Sequence, residues 1–341
     1  MKLEAKTIKN KKVFLRVDLD VPILDGKIED DSRLRASLPT IEFLLKNNSF
    51  IILAGHRGRP ACPDPNLSLA PIANWYKEIL KTSIAEGKLE EFEGWKLGQQ
   101  IFLLENLRFF RGEEENSLGF ARNLAKMAEA YVNDAFAVSH RAHASIVGIA
   151  QFLPHFCGLR LQEEIEVLSK VLKFPERPLV VIIGGAKLET KLPLVKKMHG
   201  FSDFVLVGGE IAEQDRFLLK IQHDKIKEKK SILLISEQNE EGTDVTKKSA
   251  ENFVQIIRIA KTIIWNGPLG IVEKGQDFGT REVAEAIISS KAYSLVGGGD
   301  TVSYLRKINL ADKFSFVSTG GGAMLEFLSG EKLPGLEALG I

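Results

Sequence analysis

Two kinds of segment ending carry the chemistry this chain can do. In the first half, short apolar runs end in cationic and polar residues, and Arg33, His56, Arg59, Arg108, Arg141 and His143 stand at or just after such ends. A guanidinium offers a planar fork of donors that matches a carboxylate or phosphate, so arginines converging from several segments suit a small polyanion. One such arginine alone reads as a surface residue; the repeated placement points to a site. In the second half the apolar runs end in glycine, at Gly184-Gly185, Gly208-Gly209, Gly267-Pro268, Gly297-Gly298-Gly299 and Gly320-Gly321-Gly322. Glycine after a buried strand lets the backbone approach a ligand, and the N–H groups that open the next helix attract anions. A single loop of this kind is an ordinary tight turn. Five in one half point to a polyphosphate or nucleotide.

Lys187 and Lys191, in GGAKLETK, are four residues apart at an expected helix start and share one face, where they could neutralise a transferring phosphoryl group. The bland reading is a solvated helix face. Asp300 follows the triple glycine and could reach a nucleotide-bound Mg²⁺, which takes only one or two protein carboxylates beside phosphate oxygens. The chain has no GxxxxGK[ST] loop, no GxGxxG and no protein-kinase motif set. Nor does it show an activated serine, a Cys/His pair or a metal-water site. That fits an acceptor that is already a carboxylate, which needs no base, so that catalysis rests on positioning and charge neutralisation.

The elements that must hold these residues are β-rich runs alternating with amphipathic stretches, the pattern of βαβ units around parallel sheets buried on both faces. The runs are 13–17, 50–55, 101–106 and 130–134, then 179–185, 203–209, 262–267, 292–299 and 314–322. Ligands of open α/β sheets sit beyond the carboxyl ends of the strands, where both residue sets fall. Between the halves, residues 158–174 space Leu159, Leu161, Ile165, Leu168 and Leu172 along one face of an expected connecting helix, stopped by Pro175 and Pro178. The expected fold is α/β, with two lobes, each a parallel β-sheet flanked by helices, joined by a helix. The expected domains are 1–157, 158–174 as connector, and the second half from 175.

A length of 341 residues suits two domains, and 44% apolar with 27% charged residues is the composition of a globular chain. Forty-six Lys and Arg against 45 Asp and Glu leave a net charge of +1, so no global field draws the protein to nucleic acid or anionic lipid. Cys62 and Cys157 lack metal-ligand spacing and fit a reducing compartment. No window approaches the ~18 apolar residues of a membrane span. A cytoplasmic monomer without nucleic-acid or membrane partners is expected.

The chain resembles the phosphoglycerate kinases from about residue 12 to its C-terminus. The matching segments, in family order, are FLRVDLDVP, DDSRLRASLPT, GHRGRP, LLENLRFF, YVNDAFAVSHRAHAS, GGAKLETK, WNGPLGIVE, GGGDT and STGGGAMLEFLSGEKLPG. The resemblance implies two Rossmann-like lobes joined by a hinge helix, the second ending at 327 with 328–341 packing back on the first. It also implies reversible, Mg²⁺-dependent transfer from 1,3-bisphosphoglycerate to ADP, giving 3-phosphoglycerate and ATP, with closure about the hinge. It implies that Asp18, Asp20, Arg33, His56, Arg57, Gly58, Arg59, Arg108 and Arg141 hold the phosphoglycerate, with Arg33 also stabilising the group in transfer. Lys187 and Lys191 would lie near the nucleotide phosphates, and the Gly320–Gly322 loop would offer N–H groups to the phosphoryl group. Gly185, Ala186, Lys191, Gly209, Asn266, Glu273, Gly298, Gly299, Asp300 and Thr301 would line the nucleotide site, Glu273 toward the ribose and Asp300 toward the metal.

Three departures from the family pattern stand out. RVDFN reads RVDLD here, placing Asp20 where the family has asparagine, either repelling the bound anion or turning to an arginine in support of the pocket. The usual triple glycine near the adenine reads Gly208-Gly209-Glu210. Residues 210–262 are shorter than the family norm, with GTDVTKKS in place of GLDIGPKT. The first bears on substrate affinity and the others on nucleotide affinity and base preference. Two competing readings are a kinase of another small carboxylate, such as acetate or carbamate, and a binding protein that kept the fold without the activity. The long arginine and histidine set speaks against the first, and intact Arg33, Lys187, Lys191 and Asp300 against the second.

Overall fold

The computed structural model describes residues 2–185, 195, 197–214 and 231–341. The chain divides into two compact units, Met1–Ile165 with Lys332–Ile341, and Glu166–Glu331.

In the first unit β1 (Lys12–Arg16), β4 (Phe50–Ala54), β7 (Ile101–Leu104) and β8 (Ala130–Asn133) are short apolar runs with almost every side chain buried. That is what a sheet covered on both faces requires. Between β1 and β4 lie a small hairpin, β2 (Ile23–Leu24) with β3 (Lys27–Ile28), and α2 (Ser32–Lys46), which follows a short α1 (Ala5–Ile8) at the N-terminus. α3 (Ala70–Ile79), α4 (Arg111–Glu114) and α5 (Leu118–Lys126) follow in order. With β5 (Ile84–Leu89), β6 (Phe92–Leu97) and β9 (His155–Cys157) the sheet order is β5-β6-β7-β4-β1-β8-β9. Val13, Leu15, Ile51, Leu53, Leu103 and Val132 form its core with Leu34, Ile41 and Leu44 of α2 and Ile72 and Tyr76 of α3. Register sets Arg16 beside Ala54 and Asn133, so the residues that follow β1, β4 and β8 emerge together at one sheet edge.

The expectation of a parallel sheet holds from β7 to β9 but not at the other edge. β5 and β6 pair antiparallel, as do β6 and β7. Only Glu90 and Glu91 separate β5 from β6, and Glu90 takes a φ of 54°. Two residues can close a hairpin; a parallel pair needs a crossover of a dozen or more.

The second unit holds a six-stranded, wholly parallel sheet among the described residues, ordered β12-β11-β10-β13-β14-β15. Its strands are β10 (Leu179–Ile183), β11 (Phe204–Val207), β12 (Ile232–Ile235), β13 (Thr262–Asn266), β14 (Tyr293–Gly297) and β15 (Phe316–Val317). Trp265, Ile263 and Val296 pack with Phe253 and Ile257 of the helix Lys247–Ile259, Val283 and Ile287 of Phe278–Ser290, and Leu305 of Gly299–Lys307. Ile183 lies opposite Val207 and Asn266, and Asn266 opposite Gly297, so these strands reach their glycine loops at one level.

α6 (Leu159–Lys173) runs across the division between the units. Its buried stripe is Leu161, Glu164, Leu168 and Val171, whereas Leu159, Ile165 and Leu172 are half-buried. The stripe is therefore rotated from the all-apolar one that residue types suggest. Glu164 is tolerated inside because Arg160 reaches it at 2.7 Å. Asp134 Oδ1 accepts from Leu161 N at 3.0 Å and Thr40 Oγ1 from Leu159 N at 2.9 Å, so residues remote in sequence close the helix start. A Cβ at Gly158 would stand 2.2 Å from Asp134 Oδ1, so only glycine fits there. Residues 332–341 belong to the first unit, where Gly335 N donates to Ser139 O at 2.8 Å. Among the described residues no helix is long and apolar enough to cross a membrane.

Candidate active site

The sheet edge of the first unit gathers the expected anion-binding residues. Asp18, buried just beyond β1, ion-pairs with Arg33 Nη1 at 3.2 Å, and its Oδ1 accepts from Asp20 N at 3.1 Å. Burial pushes the Asp18 carboxyl up while Arg33 pulls it down; the same pair, Asp18 first, raises Arg33. Arg33 also donates to the Asp20 carbonyl at 2.9 Å. The Asp20 carboxylate accepts from Gly58 N at 2.9 Å through Oδ1 and places Oδ2 4.0 Å from His56 Nε2. It therefore supports the GHRGRP turn, and only its main chain meets an arginine.

The arginines divide into two groups. Arg57 is spent within the fold, donating to Asn66 O at 2.6 Å, and Arg108 donates to Gly58 O at 2.6 Å and pairs with Glu114 at 3.1 Å. Arg59 is exposed and Arg141 half-buried. Gly58 needs its freedom, since it takes a φ of 65° and a Cβ there would stand 2.8 Å from Leu67.

Three histidines lie among these arginines. His56 is held well below its ordinary value by burial and then by Arg16 and Arg108. Burial and Arg141 lower His140 to about 4, and burial and Arg108 lower His143 to about 3. All three are therefore neutral near pH 7, and the pocket's positive charge comes from arginine alone.

Sequence reasoning missed the residues beneath the pocket. Arg16, fully buried at the end of β1, donates through Nε to Ser145 Oγ at 2.9 Å and through Nη1 to Val17 O, and its Nη2 lies 3.0 Å from His56 Nδ1. Glu113, also fully buried, accepts from Ser145 N at 2.9 Å and from Ser145 Oγ at 2.5 Å. Arg16 stands in RVDLD at the charged end of an apolar run, and Glu113 in the run RGEEEN. Neither hint names a partner.

In the second unit the glycine loops fall into two classes. Gly184, Gly185 and Gly209 serve loop packing. Gly185 N donates to Pro268 O at 2.7 Å, a Cβ at Gly184 would stand 2.2 Å from that carbonyl, and one at Gly209 would stand 2.7 Å from Gly185 N. The loops before Gly299–Lys307 and Gly321–Ser329 are open instead. A Cβ at Gly299 would meet nothing within 4 Å, and one at Gly321 would lie 3.6 Å from Gly298 Cα. The starts of these two nine-residue helices are thus neighbours, and neither carries a side-chain cap. Their first-turn N–H groups form a joint anion cradle.

Asn266 stands beside this cradle. It is buried, its Nδ2 has no hydrogen-bond partner among the described residues, and a Cβ at Gly298 would lie 3.3 Å from it. Thr301 is fully buried, and its Oγ1 accepts from Gly267 N at 3.0 Å, so its hydroxyl fixes the WNGP loop. Asp300 is exposed in the first turn of its helix; Glu273 is exposed in a short turn after β13; Gly320 caps the second helix, with Gly321 and Gly322 opening it. Ala186, Lys187 and Lys191 lie outside the described residues.

The comparisons with known proteins agree with this geometry. The family model described as phosphoglycerate kinase matches residues 3–230 and 213–331. The phosphoglycerate kinase of Leptospira biflexa is 40% identical over 387 aligned positions, covering 99% of this chain and 97% of the relative. That of Dictyoglomus turgidum is 39% identical with the same coverage. Among solved structures, phosphoglycerate kinase from Coxiella burnetii is similar at a TM-score of 0.82 and 34% identity, covering 98% of this chain and 97% of that one. The enzyme from Pyrococcus horikoshii reaches 0.85 at 30% identity, covering 100% and 98%. An alignment of 387 positions against 341 residues leaves at least 46 positions at which the relative has residues and this chain has none. By its sequence along nearly its whole length, and by the fold that sequence takes, the chain belongs to the phosphoglycerate kinase family.

Proposed function

We propose that this chain catalyses the reversible transfer of a phosphoryl group between 1,3-bisphosphoglycerate with ADP and 3-phosphoglycerate with ATP in the cytoplasm. The first unit holds the phosphoglycerate and the second the nucleotide. The observation that carries the reading is the pairing, within one family member, of an arginine cluster around neutral histidines with two adjoining uncapped helix starts.

On this reading Arg59 and Arg141 bind the anionic substrate, and Arg33, oriented by Asp18 and the Asp20 carbonyl, reaches the phosphoryl group in transfer. Arg57, Gly58 and Arg108 shape the turn through main-chain contacts. His56 adds a neutral donor. Because the acceptor oxygen belongs to a carboxylate, no side chain has to remove a proton, and the work of the site is alignment and charge neutralisation. In the second unit the N–H groups at Gly298–Gly299 and Gly321–Gly322 and the free amide of Asn266 meet the nucleotide phosphates, while Gly320 N donates to Ser318 Oγ at 3.1 Å and so sets the loop. By the family resemblance, Lys187 and Lys191 supply positive charge for the phosphates and Ala186 belongs to the nucleotide site, while Gly185, Gly209, Glu273 and Thr301 shape or line the nucleotide's bed.

A single exposed carboxylate beside a phosphate cradle suits Mg²⁺, which binds through phosphates and retained waters more than through protein ligands. Asp300 would hold the ion, which supplies charge neutralisation between the phosphates. Among the described residues no cluster of three or more His, Cys, Asp or Glu forms a dedicated metal cage. An assay coupling ATP, Mg²⁺ and 3-phosphoglycerate to reduction of the acyl phosphate tests the reading, with acetate as control. Turnover with 3-phosphoglycerate alone supports it; turnover with acetate, or with neither, overturns it.

A further inference from the structure

We propose that Glu113 is a positioning residue for substrate binding: through Ser145 it holds in place Arg16, whose guanidinium fixes which ring nitrogen of His56 carries its proton. The guanidinium sets the direction of this chain of contacts. Glu113, whose carboxyl burial pushes up while Arg16 and Ser145 pull it down, takes the Ser145 amide at 2.9 Å on Oε2 and the Ser145 hydroxyl at 2.5 Å on Oε1, with His143 Nδ1 3.8 Å from Oε1. With its proton committed there, the hydroxyl oxygen offers a lone pair to Arg16 Nε at 2.9 Å. A guanidinium only donates. The 3.0 Å contact from Arg16 Nη2 therefore obliges His56 Nδ1 to accept, which puts the proton of the neutral ring on Nε2.

Nε2 is the nitrogen that lies 4.0 Å from Asp20 Oδ2, on the side where the anion-binding residues gather. An Nε2–H there donates to a carboxylate or phosphate, whereas the other tautomer would present a lone pair to an anion. Arg16, Glu113 and Ser145 are fully buried and His56 is 2% exposed, so bulk solvent does not compete for these links. The two opposite charges also compensate each other, without which a lone buried guanidinium would be costly. Tyr131 Oη donates to Ser145 O at 2.9 Å, anchoring the middle link from a second strand.

The inference rests on the phosphoglycerate reading of this pocket, but its main readout does not depend on activity. In histidine-¹⁵N-labelled full-length protein, His56 should show the Nε2–H tautomer alone from pH 6 to 8. Glu113→Gln replaces one of the two acceptor oxygens with an NH2 donor, facing either the Ser145 N–H or its hydroxyl, and Ser145→Ala removes the middle link while leaving little to disturb packing. Both should give mixed His56 tautomers. In each, KM for 3-phosphoglycerate should rise tenfold or more, with kcat changed less than threefold and KM for ATP unchanged. If Glu113→Gln fails to fold, the wild-type spectrum and Ser145→Ala decide. A wild-type His56 protonated on Nδ1 or doubly protonated overturns the inference, as does a folded Ser145→Ala variant with wild-type His56 signals and wild-type KM.

Discussion

Arg33 and Asp20 show what residue identity discloses and what it conceals. That Arg33 is a candidate for an anion site follows from its type and from the repeated placement of arginines after the strands of the first half, although it stands in the first turn of α2. That its guanidinium is aimed by Asp18 at 3.2 Å and by the carbonyl of Asp20 does not, because both partners lie 13 or more residues away and one is main chain. A donor placed on the group in transfer acts mainly in the transition state, so Arg33→Ala should lower kcat on the order of 100-fold and raise KM far less. Steady-state kinetics in both directions check this, and a pure KM effect would make Arg33 a binding residue. At Asp20 the structure separates two roles that the substitution alone left joined. Oδ1 holds Gly58 N, which an asparagine oxygen can also do, whereas the charge faces the pocket beside a half-solvated edge. Asp20→Asn should therefore keep the turn and lower KM for 3-phosphoglycerate about fivefold, the equivalent of ~1 kcal/mol of relieved repulsion after solvent screening. Asp20→Ala should lose the turn contact and raise KM. An Asn variant with a raised KM would show that the carboxylate, not merely an acceptor, is needed.

At the scale of elements, the parallel strands and the charged or glycine-rich segments at their ends were legible because buried strands are continuous apolar runs. The β5–β6 hairpin was not, since its turn is Glu90-Glu91 rather than the glycine or asparagine that signals a hairpin. The connecting helix was legible in extent but not in facing, because a buried Glu164 makes sense only once Arg160 is seen across it. Its start also hid a titrating group. Asp134 caps α6 from the end of β8, and burial pushes its carboxyl up to about 7, against 3.8 for the ordinary group. A raised folded value means that the folded protein keeps a proton the unfolded chain releases. The stabilisation is complete below about pH 4 and is lost as pH rises toward 7, by on the order of 4 kcal/mol. Asp134→Asn keeps an acceptor for Leu161 N without titrating. Urea unfolding at pH 4.5 and pH 7.5 should show wild type losing more stability between the two than the Asn variant; equal losses would place the Asp134 pKa outside that window.

For the whole molecule, the two sets of site residues fall in different compact units, while transfer requires the reacting atoms to come within ~3–3.5 Å. Binding both ligands should therefore draw the protein together, and solution scattering should give a smaller radius of gyration with 3-phosphoglycerate and Mg-nucleotide together than with either alone. An unchanged radius would place both substrates within one unit. The shortened stretch is a whole-chain property too: the family model matches as two segments that overlap at 213–230, as it would if the chain skipped part of the model there. Neither the arginine pocket nor the paired helix starts lie in that stretch, so the loss should bear on nucleotide affinity rather than on transfer itself. The central claim is that a phosphoryl group passes from ATP to the carboxylate of 3-phosphoglycerate. The most direct measurement mixes protein, Mg²⁺, γ-³²P-ATP and 3-phosphoglycerate, quenches within one turnover and treats the product with hydroxylamine. The account predicts label on a three-carbon acyl phosphate before treatment, which hydroxylamine converts to a hydroxamate and labelled inorganic phosphate; label found before treatment only in ATP or inorganic phosphate, or transferred equally well to acetate, would contradict it.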